Sequence, residues 1–315
     1  MILPRIVIQP KTTVVLILSI LFSSLLKAQI NPYDINGDGT LSILVMGTSK
    51  SIKVNSDEFS PFQIRNELVN ILTNDPSLTL SINVVAEDIY RTKSVLTGIA
   101  YDWTGTNVNH YCHSLVQYYF WPENRTSRID NLKGEDGTDW DYVVIGADPE
   151  IISTIPGFYS LGVNKIARKV AEGGGKPLLL MPWTKNLSDI GHFEEFTYRT
   201  ADSAQVPVDI VPAGLAWNDL PSAKIDISTS HPTPNGAFTC AASIYSHIFN
   251  QSASSSNYVY DNVIADIAYT SIGNASSQTH YSGGITFNSP YKNCGISDTA
   301  LIYNHAGTST ENGIL

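Results

Sequence analysis

Five short apolar runs, most of them separated by segments with helical spacing, constrain the fold of this chain more than any other feature. They cover residues 43–46, 81–86, 140–146, 177–181 and 206–211. Most end at Gly or Pro, and continuous runs of this length are typical of strands buried in a parallel sheet. Strands that alternate with helices predict right-handed crossovers. We therefore expect an α/β fold with a doubly wound parallel sheet of about five strands.

Apolar residues at helical spacing predict the connecting helices. One is expected to begin at Ser60-Pro61, where an N-cap residue is followed by proline, and others cover residues 163–172, 192–205 and 234–249. Residues 87–137 do not show this spacing of apolar residues. In α/β folds such a long segment after a strand commonly builds a ligand pocket.

The first 28 residues match a secretory signal. Arg5 and Lys11 precede an apolar run over residues 12–26, and Ala28 is a small residue suited to cleavage. The run is shorter than the roughly 20 residues that a membrane span needs. We therefore expect a secreted or periplasmic protein with no membrane partner after signal removal.

The charge balance argues against nucleic-acid binding. The chain has 19 Lys and Arg against 29 Asp and Glu, a net charge of −10. Loss of Arg5, Lys11 and Lys27 with the signal makes it −13 (−10 − 3). Affinity for nucleic acids comes largely from basic side chains on phosphates.

The cysteines and candidate metal ligands suggest no metal site. The three cysteines, Cys112, Cys240 and Cys294, leave at least one thiol unpaired. Cys240 fits the core face of a helix. A disulfide between Cys112 and Cys294 is one option that the sequence does not decide. Residues 34–39 resemble the start of a calcium loop, but Val45 stands where its last ligand should be, so an Asx turn is the other interpretation. His110 and His113 lack a third ligand. We expect neither metal nor cofactor.

Four residues follow strands at one edge of the predicted sheet: Ser49, Asp148, Trp183 and Gly214. Ligands of open α/β sheets bind at the carboxyl ends of the strands. The aromatic stretch at residues 118–121 either forms a pocket wall or packs in the core. This edge is therefore the predicted site.

Two sequence blocks resemble the SGNH (GDSL-type) hydrolase family. One is Gly47-Thr48-Ser49 after the first strand, and the other is the stretch STSHPTPNG at residues 228–236, before the last helix. The resemblance implies a three-layer α/β/α, flavodoxin-like fold over roughly residues 41–250. It also implies that Ser49 is the nucleophile and His231 the base that takes its proton.

The same resemblance implies an oxyanion site, with departures from the family pattern. Gly98 or Gly105 matches the glycine donor, and Asp148 stands near the expected asparagine. Thr48 replaces the family's aspartate beside the serine, and Ser228 replaces the one three residues before the histidine. Either Asp226 orients His231, or a backbone carbonyl does so.

The sequence predicts a signal peptide over residues 1–28, an SGNH-like domain over 29–250, and an irregular or small β segment over 251–315. The predicted activity is a carbohydrate esterase that removes O-acetyl groups, with aromatic side chains such as Trp183 stacking on sugars. The substrate is a polysaccharide or an acylated small molecule. The alternative is a glycan-binding or accessory protein that has lost its chemistry. The sequence leaves the oligomeric state open.

Overall fold

A computed structural model describes residues 31–47, 63–89, 114–120, 132, 139–147, 151–152, 156–183, 190–224, 233–258 and 260–277. The strands are β1 (Thr40–Gly47), β2 (Ser81–Asp88), β3 (Tyr142–Ile145), β4 (Lys176–Leu180) and β5 (Asp209–Val211). The helices in the described ranges are α1 (Gln63–Thr73), α2 (Leu115–Phe120), α3 (Pro156–Glu172), α4 (Ile190–Asp202), α5 (Ala213–Asn218), α6 (Pro234–Phe249) and α7 (Asn262–Ser277).

The five strands form one parallel sheet in the order β2-β1-β3-β4-β5. This is the flavodoxin-like order, in which the chain moves first to one side of β1 and then to the other. All five predicted strands occur within a few residues of their expected positions. The predicted doubly wound parallel sheet is therefore confirmed.

Side chains of the central strands alternate between two cores. In β1, Ile43 and Val45 pack with α1 and α6, while Leu44 and Met46 pack with α2, α3 and α4. Every residue of β1 after the first is buried. A strand covered by helices on both faces must be apolar on both faces, which explains the continuous runs in the sequence. The layers are thus α/β/α, as predicted.

Helix α6 has the bounds that the sequence predicts. Thr233 is its N-cap and accepts a hydrogen bond from the backbone N–H of Gly236 at 3.2 Å, with Pro234 in the first helical position. Asn250 ends the helix in the left-handed region, with φ of 52°. Each signal is local, which is why the sequence is sufficient to place both ends.

Helix α3 begins at Pro156, whereas the sequence predicted a start at residue 163. Gly162 lies in the part that was missed, and a Cβ there would come within 2.4 Å of the Leu115 Cβ. The glycine permits close contact between α2 and α3. Gly has low helix propensity, so tertiary packing decides the conformation here.

The prediction of irregular or β structure after residue 250 is wrong for residues 262–277, which form α7. Ile264, Ala265 and Ala268 of this helix lie in the same core as α1 and α6. Asp261 caps α7, because its Oδ1 accepts hydrogen bonds from the N–H groups of Val263 and Ile264. Because this segment contains many Ser and Asn residues, the sequence did not indicate the helix. Its small apolar side chains pack against α6.

Two predictions about the ends of the chain are not tested by these ranges. The signal at residues 1–28 and residues 278–315 lie outside the described residues. Among the helices that the structure describes, none is both long enough and apolar enough to cross a bilayer.

Candidate functional site at the carboxyl edge of the sheet

The strand order has its switch point at the carboxyl ends of β1 and β3. These neighbouring strands are the point where the order reverses, and their following helices α1 and α3 lie on opposite faces of the sheet. Ligands of open α/β proteins bind at such switch points. This is the edge at which the sequence predicts the site.

Most of the predicted site residues lie outside the described residues: Ser49, Gly98, Asp148, Asp226 and His231. The structure therefore does not test their contacts. What it does describe are the chain positions that lead to four of them, namely Gly47, Ala147, Lys224 and Thr233.

Backbone hydrogen bonds join the end of β1 to the chain that follows β3 and to the chain that follows β2. The Gly146 N–H donates to the Met46 carbonyl at 2.9 Å, and the Gly47 carbonyl accepts from the Ile89 N–H at 2.9 Å. Gly47, the last described residue before Ser49, is therefore fixed at the carboxyl edge beside β2 and β3.

The start of α6 is held against the same edge by two stacked tryptophans. Trp183 follows β4, and its ring lies 5.6 Å from that of Trp217 in α5, at an interplanar angle of 25°. Trp217 in turn lies against Gly236, where a Cβ would come within 1.6 Å of its six-membered ring. Thr233, two residues after His231, therefore lies at the carboxyl edge of β4 and β5.

Trp183 is not the exposed stacking platform that the sequence predicted. Its side chain is 3% exposed and packs in the core with Trp217. The indole N–H is buried and has no hydrogen-bond partner among the described residues. A sugar ring would need the face of the indole exposed to solvent, and here the ring is covered.

The first two residues of the aromatic stretch at residues 118–121 pack in the core. Tyr118 and Tyr119 are 1% and 4% exposed and belong to the core on the α3 face. The Lys165 ammonium lies 5.9 Å from the centre of the Tyr119 ring. These two rings therefore do not line an open pocket.

The calcium-like loop is an Asx turn. Asp34 accepts hydrogen bonds from the backbone N–H groups of Gly37, Asp38 and Gly39 at 2.7, 3.2 and 2.8 Å. Its carboxylate therefore binds the chain's own backbone. No group of three or more acidic, histidine or cysteine side chains able to hold a metal occurs among the residues described.

A buried carboxylate ties this turn to the sheet. Asp141 is fully buried; its Oδ1 accepts from the N–H groups of Ile35 and Asn36, and its Oδ2 from that of Ser42 at 2.7 Å. Burial raises the pKa of Asp141, and the three hydrogen bonds oppose that rise. Asp141 lies at the start of β3, so its role is structural.

Cys240 is the small core residue that the sequence predicted. It is a buried free thiol in α6, and burial raises its pKa. A buried thiol is a poor nucleophile, because the reactive thiolate form is disfavoured. Cys112 and Cys294 lie outside the described residues, so their proposed bridge stays a prediction.

A cavity of about 440 Å³ lies at the opposite edge of the sheet. Its walls include Asp209, the first residue of β5, and His247 near the end of α6, together with Tyr198 and Ala275. The amino end of β5 and the chain that precedes it line this cavity. It is therefore separate from the predicted site.

Four residues connect the start of α6 to the start of α7, a role that no sequence pattern predicted: Lys224, Asn235, Tyr260 and Asp261. The Asn235 amide donates to the Lys224 carbonyl at 3.2 Å, and Asn235 Oδ1 accepts from the Tyr260 hydroxyl at 2.9 Å. Lys224 also forms an ion pair with Asp261. One local signal was available: an Asp before the apolar pattern of residues 263–268 is typical of an N-cap.

Comparison with known proteins identifies two similar solved structures. One is a protein from Slackia heliotrinireducens described as "a putative SGNH hydrolase", which is 15% identical over 65% of this chain and 97% of its own, with a TM-score of 0.44. The other is a DUF4886 family protein from Bacteroides uniformis, 14% identical over 78% of this chain and 97% of its own, with a TM-score of 0.45. No family model and no curated protein matches the chain. The assignment of the fold rests on the five-stranded sheet itself, and an SGNH hydrolase is among the solved structures that this chain resembles.

Proposed function

We propose that the protein is a serine hydrolase that cleaves carboxylic esters. Ser49 attacks the ester carbonyl while His231 takes the hydroxyl proton. His231 then returns that proton to the departing alcohol, which leaves an acyl-enzyme on Ser49. Water, deprotonated by His231, releases the acid and restores the serine.

The observation that carries this proposal is the position of the two blocks relative to the sheet. Ser49 is the second residue after β1, which lies at the switch point. His231 is the second residue before Thr233, the N-cap that the Trp183–Trp217 stack holds at the same edge. The described chain positions that lead to these two residues, Gly47 and Thr233, lie at the same edge of the sheet, which supports the proposal.

The supporting groups follow the family resemblance. Gly98 or Gly105 and the backbone N–H of Ser49 are the proposed oxyanion donors. Asp226 is the proposed partner of His231, and a backbone carbonyl is the alternative. Asp148 is placed by sequence two residues after Gly146, beside the switch point, where a neutral form would be needed to stabilise an oxyanion.

The proposed substrate class is an O-acetylated polysaccharide or another acylated small molecule, met outside the cell or in the periplasm. The secretory pattern of residues 1–28 supports that location. Trp183, Tyr118 and Tyr119 are all buried, so their rings are not available to stack on sugars. Any sugar-binding surface must come from other residues.

The test compares wild type with Ser49→Ala and with Ser254→Ala, an exposed serine near the end of α6. We expect wild type and Ser254→Ala to hydrolyse an aryl acetate and to release acetate from acetylated xylan. Ser49→Ala should lose both activities and should not react with a fluorophosphonate. Full activity of Ser49→Ala would show that another group is the nucleophile.

The alternative is a glycan-binding protein without chemistry. The sequence position of Asp148 favours it, because a charged carboxylate at the switch point would oppose a developing negative charge. This alternative predicts glycan binding by calorimetry, no turnover, and no fluorophosphonate adduct on Ser49. An adduct on Ser49 would exclude it.

A further inference from the structure

We propose that the cavity at the amino end of β5 is a second ligand site, which binds a small organic cation made of a short apolar chain and a primary ammonium group. The cavity has a volume of about 440 Å³, within the range of about 300–1,000 Å³ that is typical of small-molecule sites. It lies away from the carboxyl edge of the sheet. This inference therefore goes beyond the proposed hydrolase function and does not depend on it.

The first step is that much of the cavity wall is apolar. Val208 and Ile210 come from β5 and the chain before it, and Ile272 and Ala275 come from α7. Ala275 and Tyr198 belong to a small third core, separate from the two main ones, and Ile210 packs against it. Covering these side chains with a short alkyl chain is favourable, because apolar surface is removed from water.

The second step is that a buried hydrogen bond holds the wall together. The Tyr198 hydroxyl of α4 donates to the Ala275 carbonyl of α7 at 3.3 Å, and Tyr198 is 3% exposed. The two helices are thus joined where they line the cavity. A site that is formed before its ligand arrives loses less binding energy to ordering.

The third step is the negative charge at the polar side of the cavity. Asp209 begins β5, and Asp202 is the last residue of α4. His247 lies two residues before the end of α6, and Ala275 lies two residues before the end of α7. The carboxyl end of a helix carries a partial charge of about −0.5, which favours cations. Two carboxylates and three helix ends therefore favour a cationic head group.

The fourth step places the ammonium group between Asp209 and His247. His247 Nε2 lies 3.9 Å from Asp209 Oδ2, which is beyond hydrogen-bond distance. An ammonium between them can donate to both atoms at about 2.8 Å, since a carboxylate oxygen and one nitrogen of a neutral imidazole are acceptors. The His247 and Asp209 side chains are 21% and 64% exposed. The head group therefore stays near solvent while the apolar chain enters the cavity.

Two basic groups near Asp209 oppose a cation. The His247 imidazole is the main cause that lowers the pKa of Asp209, and the Lys176 ammonium at the start of β4 lowers it further. Lys176 is not part of the cavity wall, and α7 lines it with the uncharged Ile272 and Ala275. A protonated His247 would lose its acceptor and repel the ligand. Binding is therefore measured above the pH range in which histidines usually titrate.

The experiment titrates the full mature chain with four probes at pH 8. Hexylammonium, 1-hexanol and hexanoate share a six-carbon chain, and methylammonium has the same head group as hexylammonium without that chain. Two-dimensional NMR spectra report both the affinity and the position of binding. The test variant is Asp209→Asn, and the matched control is Asp219→Asn, which neutralises an exposed carboxylate at the end of α5.

We expect hexylammonium to bind with a Kd on the order of a few millimolar, about 10-fold tighter than hexanoate, with hexanol between them. Its shifts should concentrate on Ile210, Ile272 and His247. Methylammonium should show no saturable binding below about 50 mM, because it lacks the apolar chain. Asp209→Asn should weaken hexylammonium binding about 5-fold and change hexanol binding less than twofold, whereas Asp219→Asn should match wild type.

The inference is overturned if hexanol or hexanoate binds as tightly as hexylammonium, or if Asp209→Asn and Asp219→Asn have the same effect. The chain is acidic, with a net charge of −10, so general attraction of cations to its surface is the main rival explanation. That outcome would spread the shifts over the surface and make methylammonium bind as well as hexylammonium. Neither turnover nor labelling of Ser49 enters this test, so its failure leaves the hydrolase proposal unaffected.

Discussion

Gly236→Ala tests the packing that places the start of α6 at the carboxyl edge. The added methyl would lie 1.6 Å from Cζ3 and 2.3 Å from Cη2 of Trp217. Trp217 is 2% exposed and already stacked on Trp183, so it has little space into which to move. Either the indole or the first turn of α6 must shift.

The expected cost follows from three contributions. Overpacking a well-filled core costs about 1–3 kcal/mol, and disturbing the Trp217–Trp183 stack costs about 0.5–1.5 kcal/mol more. Replacing a helical glycine by alanine returns about 0.5–1 kcal/mol. We therefore expect Gly236→Ala to lower the free energy of unfolding by about 0.5–4 kcal/mol, with a centre near 2 kcal/mol.

The matched control is Gly273→Ala in α7, where an added Cβ would meet no atom within 4 Å. This substitution should stabilise the protein by about 0.5–1 kcal/mol, because only helix propensity changes. Urea unfolding followed by far-ultraviolet circular dichroism measures both. In a Trp217→Phe background, which removes the six-membered ring of the indole, most of the cost of Gly236→Ala should disappear.

The reasoning would be refuted if Gly236→Ala were as stable as Gly273→Ala. It would also be refuted if the cost of Gly236→Ala were the same in the Trp217→Phe background, since the clash involves atoms that phenylalanine lacks there.

Two further predictions concern buried and paired carboxylates. Asp141→Asn should lower the free energy of unfolding by about 1–3 kcal/mol in urea titrations, because the amide nitrogen cannot accept the backbone hydrogen bonds that the buried carboxylate receives. The His247 imidazole beside Asp209 lowers the pKa of that carboxyl. Its contribution to stability is therefore present above the unfolded-state pKa of about 3.9 and is lost as pH falls through the lower folded-state pKa. Asp209→Asn should flatten that loss in unfolding free energies measured between about pH 5 and pH 2; an unchanged slope would contradict the pairing.

The strands and the bounds of α6 were predictable because their signals are local. Buried parallel strands must be apolar on both faces, and Thr233, Pro234 and Asn250 mark the ends of α6 within a few residues of sequence. Strand order was expected only through the family resemblance. The carboxyl edge, where the sequence predicts the site, then followed from topology.

What the sequence could not supply depends on tertiary contacts. From sequence alone, Gly162 suggests a break in the helix, whereas in the structure α2 packs against it. The sequence of α7 suggests irregular structure, whereas its small side chains pack against α6. Trp183 and Tyr118 illustrate the same point for aromatic residues. Composition does not distinguish a ring that faces a ligand from one that fills a core, because both environments favour large apolar surfaces.

Helix α6 is held near its carboxyl end by a hydrogen bond and at its amino end by the Trp183–Trp217 stack. A small tilt of the helix would therefore displace its start. Near its end, the Tyr245 hydroxyl donates to Asp75 Oδ2 at 2.5 Å, which ties the helix to the chain after α1. Thr233 lies 12 residues away, about 18 Å along the axis. A tilt of about 3° about that anchor would move the helix start by about 1 Å, the scale on which reaction geometry is sensitive. The Trp183–Trp217 stack therefore sets the tilt of α6 relative to the sheet. Substitutions that change the size of the stacked side chains should shift the start of α6 in graded steps.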